Sequence, residues 1–227
     1  MAVKVTWLGH NTWSIESGSN TLLIDPFLDD SPTAPFKSDV VQADFILLSH
    51  GHFDHVGDTV TIAKRTGATV ISNFEISVWL EKQGVKNVLG MNHGGGANLP
   101  FGHVKLTPAV HSSVLPDGTY GGNPAGFLLT LGGQRLYFAC DTALFGDMKF
   151  IGAAGLDLAV VPIGDLYTMG PEDSIQALQL LSPQNAAPCH YNTWPPIAQD
   201  AQAWARRVSE QTTAKPHIPQ PGETFTL

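Results

Sequence analysis

Phe45-Ile46-Leu47-Leu48-Ser49-His50-Gly51-His52-Phe53-Asp54-His55 is the stretch on which the reading of this chain turns. Its first four residues form a short apolar run, as a buried strand does. The run ends in His-x-His-x-Asp-His, so one strand end receives three imidazoles and a carboxylate, from His50, His52, Asp54 and His55. Neutral imidazole and carboxylate suit zinc and its first-row neighbours. Adjacent and alternating ligands cannot all converge on one tetrahedral centre, so the clustering predicts two ions.

Two ions need more ligands than one loop offers, and a group that bridges them. Three later residues qualify, each at the end of a predicted strand. His111 follows Thr107-Pro108-Ala109-Val110, Asp141 follows Leu136-Tyr137-Phe138-Ala139, and His190 follows the short run that begins at Ala186. Taken singly, a polar residue at a strand end is a turn or cap residue. Their joint occurrence behind the first motif points to a shared site.

The rest of the chain supplies a scaffold. Residues 3–7, 11–16 and 21–24 read as consecutive antiparallel strands separated by Gly, Ser and Asn turns. Strand 45–48 is followed by the His-rich loop, a helix over 58–65, a strand over 69–72 and a helix over 74–83. That helix is expected to face inward through Phe74, Val78 and Ile76 and to end at Gly84. The second half repeats the pattern, with strands over 104–109, 126–131 and 134–139, the last two joined at a Gly132-Gly133 hairpin. The continuous apolar run 158–163 predicts a strand covered on both faces. Pro171 opens a helix through Leu181, with Glu172 and Asp173 complementing its dipole. A strand over 186–189 and a helix over 200–209 complete the set. Two β-rich halves with helices outside predict an α/β fold of two sheets packed face to face between helical layers.

Composition narrows the function. The 227 residues are 43% hydrophobic and 14% charged, enough for a substantial core, and no linker divides them, so one domain over 1–227 is expected. No stretch approaches a membrane span, and the alternating N-terminus lacks the apolar block of a signal peptide. A cytoplasmic, soluble protein is the expectation. The net charge is −8, with 12 unclustered Lys and Arg, which argues against nucleic acid as a partner and for a small-molecule substrate. A homo-oligomer is compatible with these features. Cys140 and Cys189 are too few for a disulfide framework and read as buried thiols.

The full set of motifs resembles the metallo-β-lactamase superfamily: Asp25 after Leu22-Leu23-Ile24, the His50 to His55 run, His111, Asp141 and His190. The resemblance covers nearly the whole chain and implies a four-layer αββα sandwich with a dinuclear site at one edge of its sheets. It implies His50, His52 and His111 on the first metal, and Asp54, His55 and His190 on the second. Asp141 would bridge them, opposite a water or hydroxide. The carboxylate at Asp141, in place of a thiol, sets the chain apart from members that open β-lactams. Asp25 is expected to hold the His-rich loop through hydrogen bonds.

A narrower resemblance rests on Leu8-Gly9-His10-Asn11, Asp25-Pro26-Phe27, the run from Asp141 to Asp147, and His190-Tyr191-Asn192-Thr193. These look like the metal-dependent hydrolases that are similar to ascorbate-6-phosphate lactonases and, more distantly, to N-acyl phosphatidylethanolamine phospholipases. Members mostly have Gly where this chain has Cys140, and residues 163–170 depart from their Gly-Gly-rich form. The expected ions are two divalent metals, zinc first, with Mn, Ni and Fe also suited to His/Asp sites.

These features predict a hydrolase that uses a metal-bound hydroxide on a small-molecule ester, lactone or amide. Asp54 would orient the nucleophile or shuttle its proton. His10 and Tyr191 are candidates for oxyanion contact or leaving-group protonation, with a supporting core histidine as the alternative for His10. The competing class is a phosphodiesterase or nuclease using the same metal pair. A flavodiiron-type redox protein would need a flavin domain for which the chain has no room. Loops 91–96, 112–123 and 167–169 are expected to form the pocket.

Overall fold

The alternating N-terminal segments become three antiparallel strands, β1 (Val3–Trp7), β2 (Trp13–Ser17) and β3 (Asn20–Ile24). Beyond β3, the strands β4 (Phe45–Leu47), β5 (Thr69–Asn73) and β6 (Val88–Met91) run parallel to it. The second sheet has the same plan. Antiparallel β7 (Gly96–Leu99), β8 (Gly102–Pro108), β9 (Ala125–Leu131) and β10 (Gln134–Phe138) lead into parallel β11 (Leu158–Pro162), β12 (Asn185–Cys189) and β13 (Lys215–Pro216). A last strand, β14 (Thr224–Thr226), returns to pair with β1, giving two seven-stranded sheets. The computed structural model describes residues 2–227.

Two-residue periodicity sorts the apolar side chains between layers. Leu22 and Ile24 of β3, Phe45 and Leu47 of β4 and Ile71 of β5 point between the sheets, where they join Phe127, Leu129, Leu136 and Phe138. Their neighbours Leu23, Ile46 and Val70 point the other way, toward α2 (Thr59–Thr66) and α3 (Phe74–Lys82), whose Ile62, Ala63, Ile76 and Leu80 complete a second core. Strands buried on both faces read as unbroken apolar runs for this reason, and each fully buried side chain contributes ~1.5–3 kcal/mol. On the far side α5 (Pro171–Leu181) and α6 (Ala201–Gln211) cover the second sheet through Ile175, Leu178, Trp204 and Val208. The layers are therefore helix, sheet, sheet and helix, as expected. None of the described helices is long and apolar enough to cross a membrane.

Several elements differ from expectation. Phe74 does not face inward; it is 60% exposed, and Ile76, Trp79 and Leu80 form the buried stripe of α3. The Asn73 side chain accepts from the Ile76 backbone N–H at 2.9 Å, capping the helix so that Phe74 falls at its first position on the solvent side. Two one-turn helices, α1 (Phe53–Val56) and α4 (Met148–Gly152), and the strands β6, β7, β13 and β14 were not anticipated. The Gly132-Gly133 hairpin forms as expected, with φ of 61° and 89°.

The topology sends many strand ends to one edge. β1 lies antiparallel to β2 and β2 to β3, so β1 and β3 end on the same side, as do β4 and β5. By the same step β8, β10, β11 and β12 end together on the second sheet. Backbone bonds stitch the two edges: His190 N–H donates to His10 C=O at 3.0 Å, and Ala125 N–H to Ser49 C=O at 3.0 Å.

Candidate metal centre

That edge carries His10 after β1, Asp25 after β3, the His50 to His55 run after β4, His111 after β8, Asp141 after β10 and His190 after β12. Four of these loops turn through left-handed backbone at non-glycine residues: His10 (φ 50°), Asp25 (41°), Cys140 (52°) and His190 (52°). Such conformations cost roughly 1–3 kcal/mol each and persist where the surroundings over-determine them. Cys140 thus occupies a position that suits glycine. Its thiol is buried and lies 3.8 Å from the Phe138 carbonyl, and burial pushes its pKa well up. Gly9 (φ 92°) opens the first loop, where a Cβ would lie 2.9 Å from Thr33 Oγ1.

The expected metal residues come together, and His10 and Asp25 are drawn into their clusters, Asp25 with His50 and His55. The ligand atoms of His50, His52 and His111 lie within 4.8 Å of one another, and so do those of His10, Asp54, His55 and His190. Asp141 lies between the groups. Its Oδ2 is 4.0 Å from His50 Nε2 and 3.6 Å from His111 Nε2 on one side, and 3.3 Å from His55 Nε2 and 3.1 Å from His190 Nε2 on the other.

Hydrogen bonding fixes which nitrogens are free. Asp25 is fully buried and accepts from Ser49 N–H (2.7 Å), Ser49 O–H (2.5 Å) and Asn11 Nδ2 (2.8 Å). The hydroxyl has one proton and gives it to the carboxylate, so the 2.9 Å contact between Ser49 Oγ and His50 Nδ1 takes its proton from the imidazole. His55 Nδ1 donates to the same carboxylate at 2.8 Å. His50 therefore turns an unprotonated Nε2 toward Asp141, and Asp25 aims the His55 Nε2 at the same carboxylate, the arrangement by which a carboxylate orients a metal-ligating histidine. His52 presents its other nitrogen, with Nδ1 3.0 Å from His50 Nε2.

The donor set fits divalent ions. His55 Nε2 and Asp141 Oδ1 are buried without a hydrogen-bond partner, and two imidazole nitrogens face each other at His50 and His52. Electrostatics agree. Burial opposes the Asp141 carboxylate, but His190 and His55 outweigh it and hold its pKa well below the usual range. Burial also opposes a charged His55, yet Asp141, Asp54 and Asp25 raise its pKa well above the ordinary value. That concentration of opposing charge, with a buried carboxylate among four imidazoles, is what a cation would organise.

His10 lies behind Asp54 rather than in the cleft. It is fully buried, with Nε2 3.1 Å from Asp54 Oδ2 and Nδ1 2.7 Å from Thr193 Oγ1. Burial, with His190 nearby, lowers its pKa to about 4, so the ring is neutral at pH 7. Asp54 is held well below the carboxylate range: burial acts against this, but His55 and His10 prevail. Asp54 is then the acceptor, His10 Nε2 carries the proton, and Nδ1 accepts from Thr193. A ring so placed does not line the cleft and fits the alternative given for His10, a supporting core histidine. Tyr191 is buried as well. Left-handed residues on both sides, His190 and Asn192 (φ 59°), turn it into the core, where it stacks on Trp7 at 5.2 Å.

A cleft of about 540 Å³ opens over the cluster. His52, Asp54, His111, Asp141 and His190 form its floor, and Tyr167, from a loop expected to form the pocket, stands on its wall. Phe53, Trp194, Pro196 and Ile197 complete that wall, none of them anticipated. Loop 91–96 connects the two sheets elsewhere and does not line it.

Comparison with known proteins agrees with this architecture. Residues 20–191 match the family described as Beta-lactamase superfamily domain. A UPF0173 metal-dependent hydrolase of Thermus thermophilus is 50% identical over 225 residues, covering 99% of each chain. One from Deinococcus radiodurans is 45% identical over 228 residues, covering 99% of this chain and all of that protein. Among solved structures, Igni18, a metallo hydrolase from Ignicoccus hospitalis, superposes with a TM-score of 0.92 at 36% identity, over 100% of this chain and 99% of its own. The chain belongs to the UPF0173 metal-dependent hydrolases of the β-lactamase superfamily.

Proposed function

We propose that this enzyme hydrolyses a small-molecule ester, lactone or amide with two divalent ions, zinc first and Mn, Ni or Fe as alternatives. His50, His52 and His111 would hold one ion, Asp54, His55 and His190 the other, and Asp141 would join them. The observation that supports this is the Asp141 Oδ2 atom, within 4.0 Å of imidazoles from both groups. When bound, the ions supply Lewis acidity and lower the pKa of water from 15.7 to roughly 7. Asp25 and Ser49 keep the His50 and His55 rings in the tautomer that presents Nε2. His10 is a positioning residue: its Nε2 proton pins one oxygen of Asp54, whose carboxylate faces the cleft and can hold a proton during transfer. Because both sheets contribute ligands, we take the chain to act as one domain.

A substrate panel tests this reading. Metal-loaded protein should hydrolyse p-nitrophenyl acetate or a γ-lactone with a higher kcat/KM than bis-p-nitrophenyl phosphate, and should not bind RNA in a salt-dependent way. Faster phosphodiester cleavage, or RNA affinity that falls steeply with salt, would make it a phosphodiesterase or nuclease.

A further inference from the structure

The middle of the metal motif holds a residue with no metal role. Phe53 stands between His52 and Asp54 on the single turn α1, and it is 62% exposed. A phenylalanine left in water beside a metal cluster is not there to build the core. It is also not loose. Phe27 meets it edge-on at 6.0 Å and 90°, and Trp194 lies 6.0 Å away, tilted by 43°. Trp194 is itself anchored on Phe27 at 6.0 Å and on His10 at 5.1 Å. The result is a fixed aromatic shelf along one side of the cleft, continued by Pro196 and backed by the buried Ile197, with Tyr167 also on the wall.

The cleft has an equally definite charge pattern. No Lys or Arg lines it, and its carboxylates, Asp54 and Asp141, belong to the floor. A substrate with an anionic group away from its scissile bond would have to desolvate that charge against apolar rings with no side-chain cation to receive it. A neutral ring or branched alkyl group would gain from covering the shelf.

We infer that the non-reacting part of the substrate is an uncharged aromatic or branched aliphatic group seated on Phe53 and Trp194, and that phosphorylated or carboxylated small molecules are rejected. The inference rests on the hydrolytic reading for its reacting bond, but not for the binding it predicts. Three hydroxamates share one metal-chelating head and differ in the remainder: acetohydroxamate, phenylacetohydroxamate and the monohydroxamate of succinate. Calorimetric titration of the metal-loaded enzyme should find the phenyl compound roughly tenfold tighter than the acetyl one, as expected from covering about half a ring. The succinyl compound should bind no tighter than the acetyl one. Phe53→Ala, a surface change, should cut the phenyl preference to about threefold or less.

Equal affinities, tighter binding of the succinyl compound, or an undiminished preference in Phe53→Ala would each overturn the inference. Binding by none of the three would do so as well, by removing the metal anchor. Because binding needs no turnover, a phenyl preference without ester hydrolysis would count against the hydrolytic reading alone. Ester hydrolysis without the preference would count against this inference alone.

Discussion

Asp141→Ala should reduce ester hydrolysis by roughly 10³-fold, the equivalent of several kcal/mol of transition-state stabilisation, and should cost the protein at least one of the two ions proposed for it. Among the described residues no other carboxylate oxygen lies within 4.0 Å of imidazole nitrogens from both groups: Asp54 Oδ2 comes that near to His10, His55 and His190, and Asp25 Oδ2 to His55. Removing Asp141 leaves each ion with protein ligands but takes away the contact that couples them. The fold should survive, because the two cores are built from apolar side chains between the sheets and under the helices, and Asp141 is not one of them. Circular dichroism, elemental analysis and kcat on the same preparation check all three statements. Two retained ions with undiminished kcat would assign the bridge elsewhere.

Asp25→Ala should act on stability as well as on the site. The carboxylate is fully buried and receives hydrogen bonds from Ser49 through both backbone and hydroxyl, from Asn11 and from His55. Its loss strands these donors in the interior and leaves His55 without the partner that orients it. Breaking a buried charged pair by removing one member costs ~3–5 kcal/mol. For a chain of this size that lowers Tm by roughly 10 °C, and metal affinity should fall about 10–100-fold as with other supports of ligating histidines. Asp25→Asn keeps an acceptor oxygen and should lose less of both. A wild-type melting temperature in Asp25→Ala would remove Asp25 from this role.

The site was legible in the sequence where polar ligands interrupt apolar strands. His50, His52, Asp54, His55, His111, Asp141 and His190 all stand after such runs, and the alternating and parallel strands of the two sheets carry those strand ends to one edge. The apolar half of the site was not legible. Phe53 and Trp194 are residue types that build cores, and nothing in their spacing distinguishes a substrate shelf from buried packing. Side-chain direction was the second obstacle. Tyr191 and Tyr167 both looked available, and the left-handed turns that send Tyr191 into the core are set by contacts between sheets. The same holds for Phe74, whose exposure follows from the Asn73 cap. Edge strands such as β6 and β7 went unseen because they are short, contain glycine and are only partly buried. For His10 the motif marked importance, but its role follows from the hydrogen bonds on both ring nitrogens.

The claim that two ions share Asp141 is tested most directly by counting metal. Protein stripped with chelator and reloaded with zinc or manganese, then freed of excess ion, should carry two equivalents per chain by elemental mass spectrometry. An apo-protein that takes up no metal at micromolar concentration, or that stops at one equivalent under saturating metal, would contradict it.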